Sequence, residues 1–257
     1  MSFSTPSAVL VTGAARRLGR EIALDLARAG FDIAVHYRGS REDAQATVDD
    51  IRALGRRAAL LQADLAQESE ARSLVRRAVA ALGPLHALVN NASLFDYDEA
   101  SSFTYARLDA HMHANLGAPV VLAHALHEAT REGECACVVN LLDQKLWNPN
   151  PDFLSYSCSK FALEGATRML ALALAPRVRV VGVAPGVTLV SGDMSEAGLA
   201  EARTRTPLGR SSMPEDIAHA VRFAITNPAV TGTTLIVDGG QHCWPSERDV
   251  MFKTSVR

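Results

Sequence analysis

Short apolar runs alternate with longer amphipathic segments along the whole chain. Each run is too short for a typical helix and is rich in Val, Leu and Ile, a pattern typical of strands buried on both faces of a parallel sheet. The predicted strands lie at 8–13, 31–37, 57–65, 86–92, 135–142, 178–186 and 233–240. The predicted helices lie at 18–29, 41–54, 68–82, 104–130, 154–175 and 214–227.

Strict alternation of strand and helix predicts an α/β fold. We expect a doubly wound Rossmann-type layout, in which a seven-stranded parallel sheet has helices on both faces. No linker, repeat or low-complexity segment interrupts residues 1–257, so we expect one domain. The irregular stretch at 187–213 follows the sixth strand, where a substrate lid is expected. The tail at 241–257 fits no strand pattern.

The charge balance excludes some partners. The formal net charge is −2, so nothing favours binding to DNA, RNA or an anionic membrane. No apolar run reaches the ~18 residues of a membrane span, and the N-terminus lacks the positive region of a signal peptide. We therefore expect a cytoplasmic protein that acts on a small molecule. The four cysteines form no C-x-x-C pair and are expected to be buried or half-buried.

The segment FALEGATRMLALALA, at 161–175, is apolar on more than one side. A helix that buries a second face usually does so against another subunit, so this pattern predicts an oligomer. The alternative is a helix enclosed within its own domain.

The first predicted strand ends in TGAARRLG and leads directly into a helix. Gly13 permits the tight turn and Gly19 permits close packing of helix on sheet, while Arg17 stands where a middle glycine is common. Free N–H groups at the helix N-terminus suit the pyrophosphate of a dinucleotide. A glycine pattern alone is weak evidence, but this one lies between a strand and a helix.

The second predicted strand ends without the acidic residue that binds the ribose 2′-hydroxyl of NAD. Arg17, His36, Arg38 and Ser40 instead offer cations and donors to a 2′-phosphate, which predicts NADP; the alternative is a solvated loop with basic residues by chance. Asp64 is expected to accept a hydrogen bond from the adenine amino group. The residues predicted to contact the cofactor are Gly13, Arg16, Arg17, Leu18, Gly19, His36, Tyr37, Arg38, Ser40, Asp64, Leu65, Asn91, Ala92, Tyr156, Lys160, Pro185 and Gly186.

Tyr156 and Lys160 stand four residues apart on a predicted helix and so share one face. A cationic Lys160 is expected to lower the pKa of the Tyr156 phenol and to ease proton exchange near neutral pH. This spacing occurs by chance in many helices, but after the fifth strand of a Rossmann-type sheet it is specific. The sequence therefore predicts an acid–base pair.

The chain resembles the short-chain dehydrogenase/reductase family from Val9 to Gly240. The resemblance is carried by TGAARRLG, NNA, Asn115, YSCSK at 156–160 and the dipeptide at 185–186, in the family's order and spacing. It implies that the tyrosine donates a proton, the lysine binds the nicotinamide ribose, and Asn115 holds a water in the proton path. The family usually polarises a substrate carbonyl with a serine, and Asp143 occupies that position here.

A narrower resemblance is to pteridine reductases and to bacterial dihydromonapterin and dihydrofolate reductases of the same fold. It is carried by the arginine at the middle-glycine position, the HYRGS tip, NNASLF, Asp143 and the TPLGR before the last helix. No single feature is decisive, but the set is fairly specific because it includes residues predicted to contact the cofactor and residues predicted to contact the substrate. This narrower resemblance implies NADPH-dependent reduction of a C=N bond in a pterin-like ring. The resemblance to the short-chain dehydrogenase/reductase family implies a homotetramer.

An aspartate at position 143 suits this chemistry better than carbonyl reduction. The carbonyl oxygen of a ketone becomes an alkoxide, and an ionised carboxylate opposes that charge. A pterin C=N bond takes hydride on carbon and needs a proton on nitrogen, which an Asp143–Tyr156 couple can supply. The alternative is a structural carboxylate that caps the following loop.

Further residues are predicted to bind the substrate. Phe95 is expected to stack the flat ring against the nicotinamide, with a core aromatic as the alternative. Ser93 and Arg17 are expected to bond the polar edge of the ring. The residues predicted to contact the substrate are Arg17, Ser93, Phe95, Asp143, Tyr156 and Leu189. In related enzymes the C-terminus can approach a neighbouring subunit's active site, which His242 and Trp244 would do here.

Two other functions stay open. A short-chain carbonyl reductase would retain or gain ketone activity when Asp143 is replaced by serine. A dinucleotide-binding regulator without turnover is expected to lack Tyr156 or Lys160, and both are present. No metal site is expected, because the histidine pairs have no third ligand in register.

Overall fold

Parallel pairing joins all the strands that the computed structural model describes within residues 7–190 and 195–252. The strands are β1 (Ala8–Val11), β2 (Asp32–Tyr37), β3 (Ala58–Gln62), β4 (Leu85–Asn90), β5 (Ala136–Leu141), β6 (Val178–Pro185) and β7 (Thr234–Val237). Their order across the sheet is β3-β2-β1-β4-β5-β6-β7. The predicted seven-stranded, doubly wound Rossmann-type sheet is confirmed.

Helices cover both faces of the sheet. They are α1 (Arg17–Arg28), α2 (Arg41–Ala53), α3 (Glu68–Leu82), α4 (Tyr105–Met112), α5 (Ala118–Ala129), α6 (Leu154–Ala173), α7 (Glu196–Thr204) and α8 (Pro214–Thr226). One core layer lies under α1, α2 and α8, and the other lies under α3, α5 and α6. Successive residues of β1 alternate between them: Val9 packs in the first layer and Leu10 in the second. This two-sided burial explains why the strands are continuously apolar.

Two elements differ from the sequence predictions. The helix predicted at 104–130 is interrupted between α4 and α5 by a π-helical turn at His113–Gly117. The stretch at 187–213, predicted to be irregular, contains the helix α7. The π turn changes the backbone hydrogen-bond register but hardly changes the apolar pattern, so periodicity does not reveal it.

The strand order reverses between β1 and β4, which is where ligands bind in open parallel sheets. Loops that follow β1, β4, β5 and β6 meet at this carboxyl edge. None of the described helices is long and apolar enough to cross a membrane. Cys137 is buried, but Cys135, Cys158 and Cys243 are exposed, so the burial predicted for all four cysteines is wrong for these three.

Candidate active site

The turn after β1 has room only for glycine at two positions. Gly13 has a φ of +63°, and a Cβ added to Gly19 would lie 2.2 Å from the carbonyl oxygen of Gly13. The side-chain amide of Asn91, at the end of β4, donates to the carbonyl oxygen of Thr12 at 2.9 Å. The backbone of this turn is therefore held close to the β4 loop, as the glycine pattern predicts.

His36 supports this turn and is not a cation. The backbone N–H of Gly13 donates to its Nδ1 at 3.0 Å, and its Nε2 lies 3.1 Å from the carbonyl oxygen of Ala63. Burial lowers the pKa of His36 to about 4, so the ring is neutral at physiological pH. The expectation that His36 offers a positive charge to a phosphate is wrong, because both ring nitrogens are engaged by the backbone.

A cleft of about 750 Å³ lies above the turn. The helix α1 begins beneath it with no acidic residue in its first turn and no side-chain cap, so its first N–H groups are open to an anion. Arg16, Arg17 and Arg38 add positive charge. The predicted cofactor residues that line this cleft are Gly13, Arg16, Arg17, Leu18, Gly19, His36, Tyr37, Arg38, Ser40, Asp64, Leu65, Asn91 and Ala92. The cleft thus has the donors and the space that a dinucleotide phosphate requires.

A second cavity, of about 330 Å³, adjoins the cleft. Arg17, Leu18, Asn91 and Ser93 line both. The structure brings all the predicted substrate residues to this second cavity, namely Arg17, Ser93, Phe95, Asp143, Tyr156 and Leu189. The remaining predicted cofactor residues, Lys160, Pro185 and Gly186, line it as well.

Asp143 and Tyr156 form a direct pair in this cavity. The Tyr156 hydroxyl donates to Oδ2 of Asp143 at 2.9 Å. Oδ1 of Asp143 accepts from the backbone N–H of Lys145 at 2.8 Å, so the carboxylate also caps the short helical turn that follows. Burial raises the pKa of Asp143 above its usual value, and the hydrogen bonds oppose this only in part. The carboxyl is therefore able to hold a proton nearer to neutral pH than an exposed aspartate.

The pKa of Tyr156 is raised, whereas the sequence analysis predicted that Lys160 would lower it. Burial, followed by the Asp143 charge, raises the pKa of Tyr156 well above its usual value. The Lys160 ammonium donates to the carbonyl oxygen of Leu141 at 2.7 Å, at the end of β5, and lies 5.7 Å from the centroid of the tyrosine ring. Its own burial lowers the pKa of Lys160 to about 8. Tyr156 is thus protonated at neutral pH and suited to act as an acid.

Asn115 lies in the π turn and has its side chain fully engaged. Nδ2 donates to the carbonyl oxygen of Leu94 at 2.9 Å and to Oγ of Ser159 at 3.0 Å. Oδ1 accepts from the N–H of Leu94 and from the Ser93 hydroxyl. These four bonds use the whole hydrogen-bonding capacity of an amide. The side chain therefore ties the β4 loop to α6, which leaves only its backbone carbonyl for the predicted water.

Phe95 is an aromatic wall of the cavity and is not a core residue. Its side chain is 38% exposed. One face stacks on Phe153 with ring centroids 4.3 Å apart, and Tyr156 lies edge-on at 4.6 Å. This packing orients an aromatic ring beside the hydroxyl of Tyr156.

Sequence reasoning missed the group that caps the helix of the tyrosine. Asp98 is fully buried, and its Oδ1 accepts from the N–H of Ser155 at 2.9 Å while its Oδ2 accepts from the Ser155 hydroxyl. These bonds join the β4 loop to the first turn of α6. The sequence signal was only that Asp98 is acidic and lies close to the NNA motif. Its partner, Ser155, is 57 positions away, so the sequence does not show that the two residues are in contact.

Sequence reasoning also missed the tail residues that line the cavity of this same chain. They are Gln241, Ser246, Asp249, Val250 and Met251. The two tail residues singled out from sequence make other contacts: His242 lies 2.8 Å from Asp238, and the carbonyl oxygen of Trp244 accepts from Asn148. The role predicted for His242 and Trp244 at a neighbouring subunit stays a prediction.

The chain is similar to proteins of known family and structure. A family model described as short chain dehydrogenase matches residues 7–199. The chain is 34% identical over 241 residues to the 3-oxoacyl-[acyl-carrier-protein] reductase FabG of Staphylococcus aureus, covering 91% of this chain and 97% of that protein.

Two solved structures are also similar. The FolM alternative dihydrofolate reductase 1 of Brucella canis, complexed with NADP, is 40% identical with a TM-score of 0.87, over 93% of this chain and 96% of that one. The FolM alternative dihydrofolate reductase 1 of Brucella suis, also in complex with NADP, is 40% identical with a TM-score of 0.86, over 95% and 98% of the two chains.

Proposed function

Because the chain belongs to the short-chain dehydrogenase family, we propose that it is an NADPH-dependent oxidoreductase that reduces a C=N bond in a pterin or dihydropterin. The observation that carries this proposal is the hydrogen bond between Tyr156 and Asp143. The FolM similarity supports the same substrate class, since both Brucella proteins are named as dihydrofolate reductases.

The first cleft supports NADP as the cofactor. Arg38 and Ser40 would bind the 2′-phosphate, and the open N-terminus of α1 would bind the pyrophosphate. Asp64 at this cleft would accept from the adenine amino group, and Lys160 would bind the nicotinamide ribose. When bound, NADPH supplies the hydride that adds to the substrate carbon.

The residues of the second cavity would deliver the matching proton. Tyr156 gives its hydroxyl proton to the ring nitrogen as the adjacent carbon gains hydride. A protonated Asp143 returns a proton to the phenol, so the negative charge ends on a carboxylate and not on a buried phenolate. The backbone carbonyl of Asn115 would hold a water that restores the proton from solvent.

The substrate ring would lie against Phe95. The exposed part of this side chain offers a flat apolar surface to a bicyclic heterocycle. Ser93 and Arg17 lie at the junction of the two cavities, where they would bond polar ring substituents, and Leu189 would close the opposite side. Arg17 also donates to the carbonyl oxygen of Val190 at 2.5 Å, which links the cofactor turn to the start of the lid.

We also propose that the protein acts as a homotetramer. Three large apolar side chains are exposed on α6, namely Phe161, Met169 and Leu172, at 45%, 66% and 84%. Their spacing of eight and three residues puts them on one side of the helix. A second copy of the same chain, packed α6 against α6, would bury this stripe.

A carbonyl substrate is the competing proposal, because one relative is named for a 3-oxoacyl substrate. The purified protein should oxidise NADPH with dihydrobiopterin, dihydromonapterin or dihydrofolate, and only weakly with an acetoacetyl thioester. We expect Asp143→Ser to lower pterin turnover by roughly 100-fold, because the phenolate then lacks a proton source.

The outcome of this assay separates the two substrate classes. Asp143→Asn serves as the matched control, since it keeps the size and a hydrogen-bond partner for Tyr156 but removes the ionisable group. Rapid ketone reduction by the wild type, retained or raised in Asp143→Ser, with no activity on any pteridine, would refute the pterin proposal. A Tyr156→Phe variant with the turnover rate of the wild type would refute the catalytic role proposed for the Tyr156 hydroxyl.

A further inference from the structure

We propose that the C-terminal segment of this same chain, residues 244–252, contributes Ser246, Asp249, Val250 and Met251 to its own active site, and that Asp249 is a positioning residue for the Asp143–Tyr156 proton couple. This inference rests on the proposed proton delivery by that couple, but it is independent of which substrate accepts the proton.

The segment is held by polar contacts to the loop after β5 and by an apolar contact to the loop after β4. Nε of Arg248 lies 3.0 and 2.9 Å from the two carboxylate oxygens of Asp152, which is only 1% exposed. The backbone N–H of Asp249 donates to Asp152 at 2.6 Å. The ring of Phe252 lies edge-on to Tyr97 at 5.4 Å. These contacts hold the segment against the cavity in which the proton couple lies.

Lys145 connects the segment to Asp143. Its ammonium is buried, and it donates to the carbonyl oxygen of Asp152 at 2.5 Å and to Oδ2 of Asp249 at 3.2 Å. Its backbone N–H donates to Oδ1 of Asp143 at 2.8 Å. A buried ammonium requires a counter-charge, which Asp249 supplies. The tail carboxylate is therefore the ion-pair partner of this cation, which lies in the same cavity as Asp143.

The charge of Asp249 also acts on the couple directly. The charged and titratable groups that line the cavity with Asp143 are Arg17, Lys145, Tyr156, Lys160 and Asp249. Burial is the main cause that raises the pKa of Asp143; Asp249 raises it further and Lys145 opposes it. Removal of the Asp249 charge therefore lowers the pKa of Asp143 in two ways. A negative charge that repels the Asp143 carboxylate is lost, and the Lys145 ammonium no longer has Asp249 as its ion-pair partner and attracts Asp143. Asp143 then holds its proton less firmly.

Asp249→Asn tests this role because it keeps the shape of the side chain and removes its charge. NMR of protein with ¹³C-labelled aspartate carboxyls, assigned with Asp143→Asn, should show the pKa of Asp143 lowered relative to wild type. With a substrate that wild type reduces, kcat should fall by about tenfold and KM for NADPH should not change, because the cofactor cleft is untouched. Asp249→Glu should restore most of the loss.

Glu247→Gln is the matched control, since it removes the same charge from an exposed position two residues away. It should leave both the pKa of Asp143 and kcat at wild-type values. Hydrogen exchange should show residues 244–252 as protected in Asp249→Asn as in wild type, because Arg248 still binds Asp152.

The results separate this inference from the substrate proposal. An Asp143 pKa that is equal in wild type, Asp249→Asn and Glu247→Gln would overturn the positioning role. Loss of protection at 244–252 with an unchanged Asp143 pKa would reduce Asp249 to a structural residue and overturn it too. A lowered pKa in a protein that reduces no pteridine would support this inference while the substrate proposal fails.

Discussion

Single residues set the protonation states on which the proposed chemistry depends. Three groups that line the cavity, Asp143, Tyr156 and Lys160, each have a pKa displaced from its usual value, and loss of solvation is the largest cause for each. For the two acids burial disfavours the anion, and for the lysine it disfavours the cation. The site is therefore arranged to retain protons on its acids, as proton delivery to a ring nitrogen requires.

Lys160 should determine the alkaline limit of activity. Its pKa is lowered to about 8, so its charge is present below that pH and is lost as pH rises through it. We expect kcat/KM of the free enzyme to fall above about pH 8. Lys160→Arg should be slower but should lose this alkaline limb, because guanidinium stays charged. If kcat/KM of Lys160→Arg falls at the same alkaline pH as that of the wild type, the decrease is due to a group other than Lys160.

At the scale of elements, loops and helices are joined by buried side chains. The amide of Asn115 ties the β4 loop to α6, and Asp98 caps the first turn of α6 from the same loop. Tyr156 lies in that first turn. The position of the proton donor thus depends on a carboxylate that belongs to a different element.

Removal of the α6 cap should reduce both stability and turnover. Asp98→Ala deletes two hydrogen bonds to Ser155, for which we expect a loss of about 1–2 kcal/mol in the free energy of unfolding. We also expect kcat to fall by about tenfold as Tyr156 shifts from its bond to Asp143. Urea unfolding and steady-state kinetics measure the two effects.

Thr104→Ala provides the comparison for this cap. Thr104 caps α4 at an exposed site, where its hydroxyl oxygen accepts from the N–H of Arg107 at 3.2 Å. The Thr104→Ala variant should have a free energy of unfolding about 1 kcal/mol lower than wild type and an unchanged turnover rate. Wild-type kcat in Asp98→Ala would mean that the cap stabilises the helix without positioning the tyrosine.

For the molecule as a whole, the exposed stripe of α6 is an apolar surface that a single copy leaves unburied. Met169→Glu combined with Leu172→Glu places two like charges on that stripe. We expect light scattering after size exclusion to give a tetramer for the wild type and a smaller species for the variant. Leu208→Glu, at a side chain 74% exposed in the loop after α7, should keep the wild-type mass. A monomeric wild type would refute the homotetramer.

The amino-acid sequence was sufficient to predict the layout of the sheet, the cofactor turn and the pairing of Asp143 with Tyr156. These depend on local signals: apolar runs, glycines at a turn, and a tyrosine and lysine one helical turn apart. Asp143 was also recognised from sequence, because its position relative to Tyr156 follows from the family's spacing.

The protonation states of these groups, and the side chains that hold them in place, became apparent only from the folded chain. Burial lowers the pKa of His36, which is a neutral structural residue, and burial together with the Asp143 charge raises the pKa of Tyr156. Asp98 and Asp249 joined the site although their partners are 57 and 104 positions away. Burial and long-range pairing are properties of the folded chain, and no periodicity or spacing in the sequence encodes them.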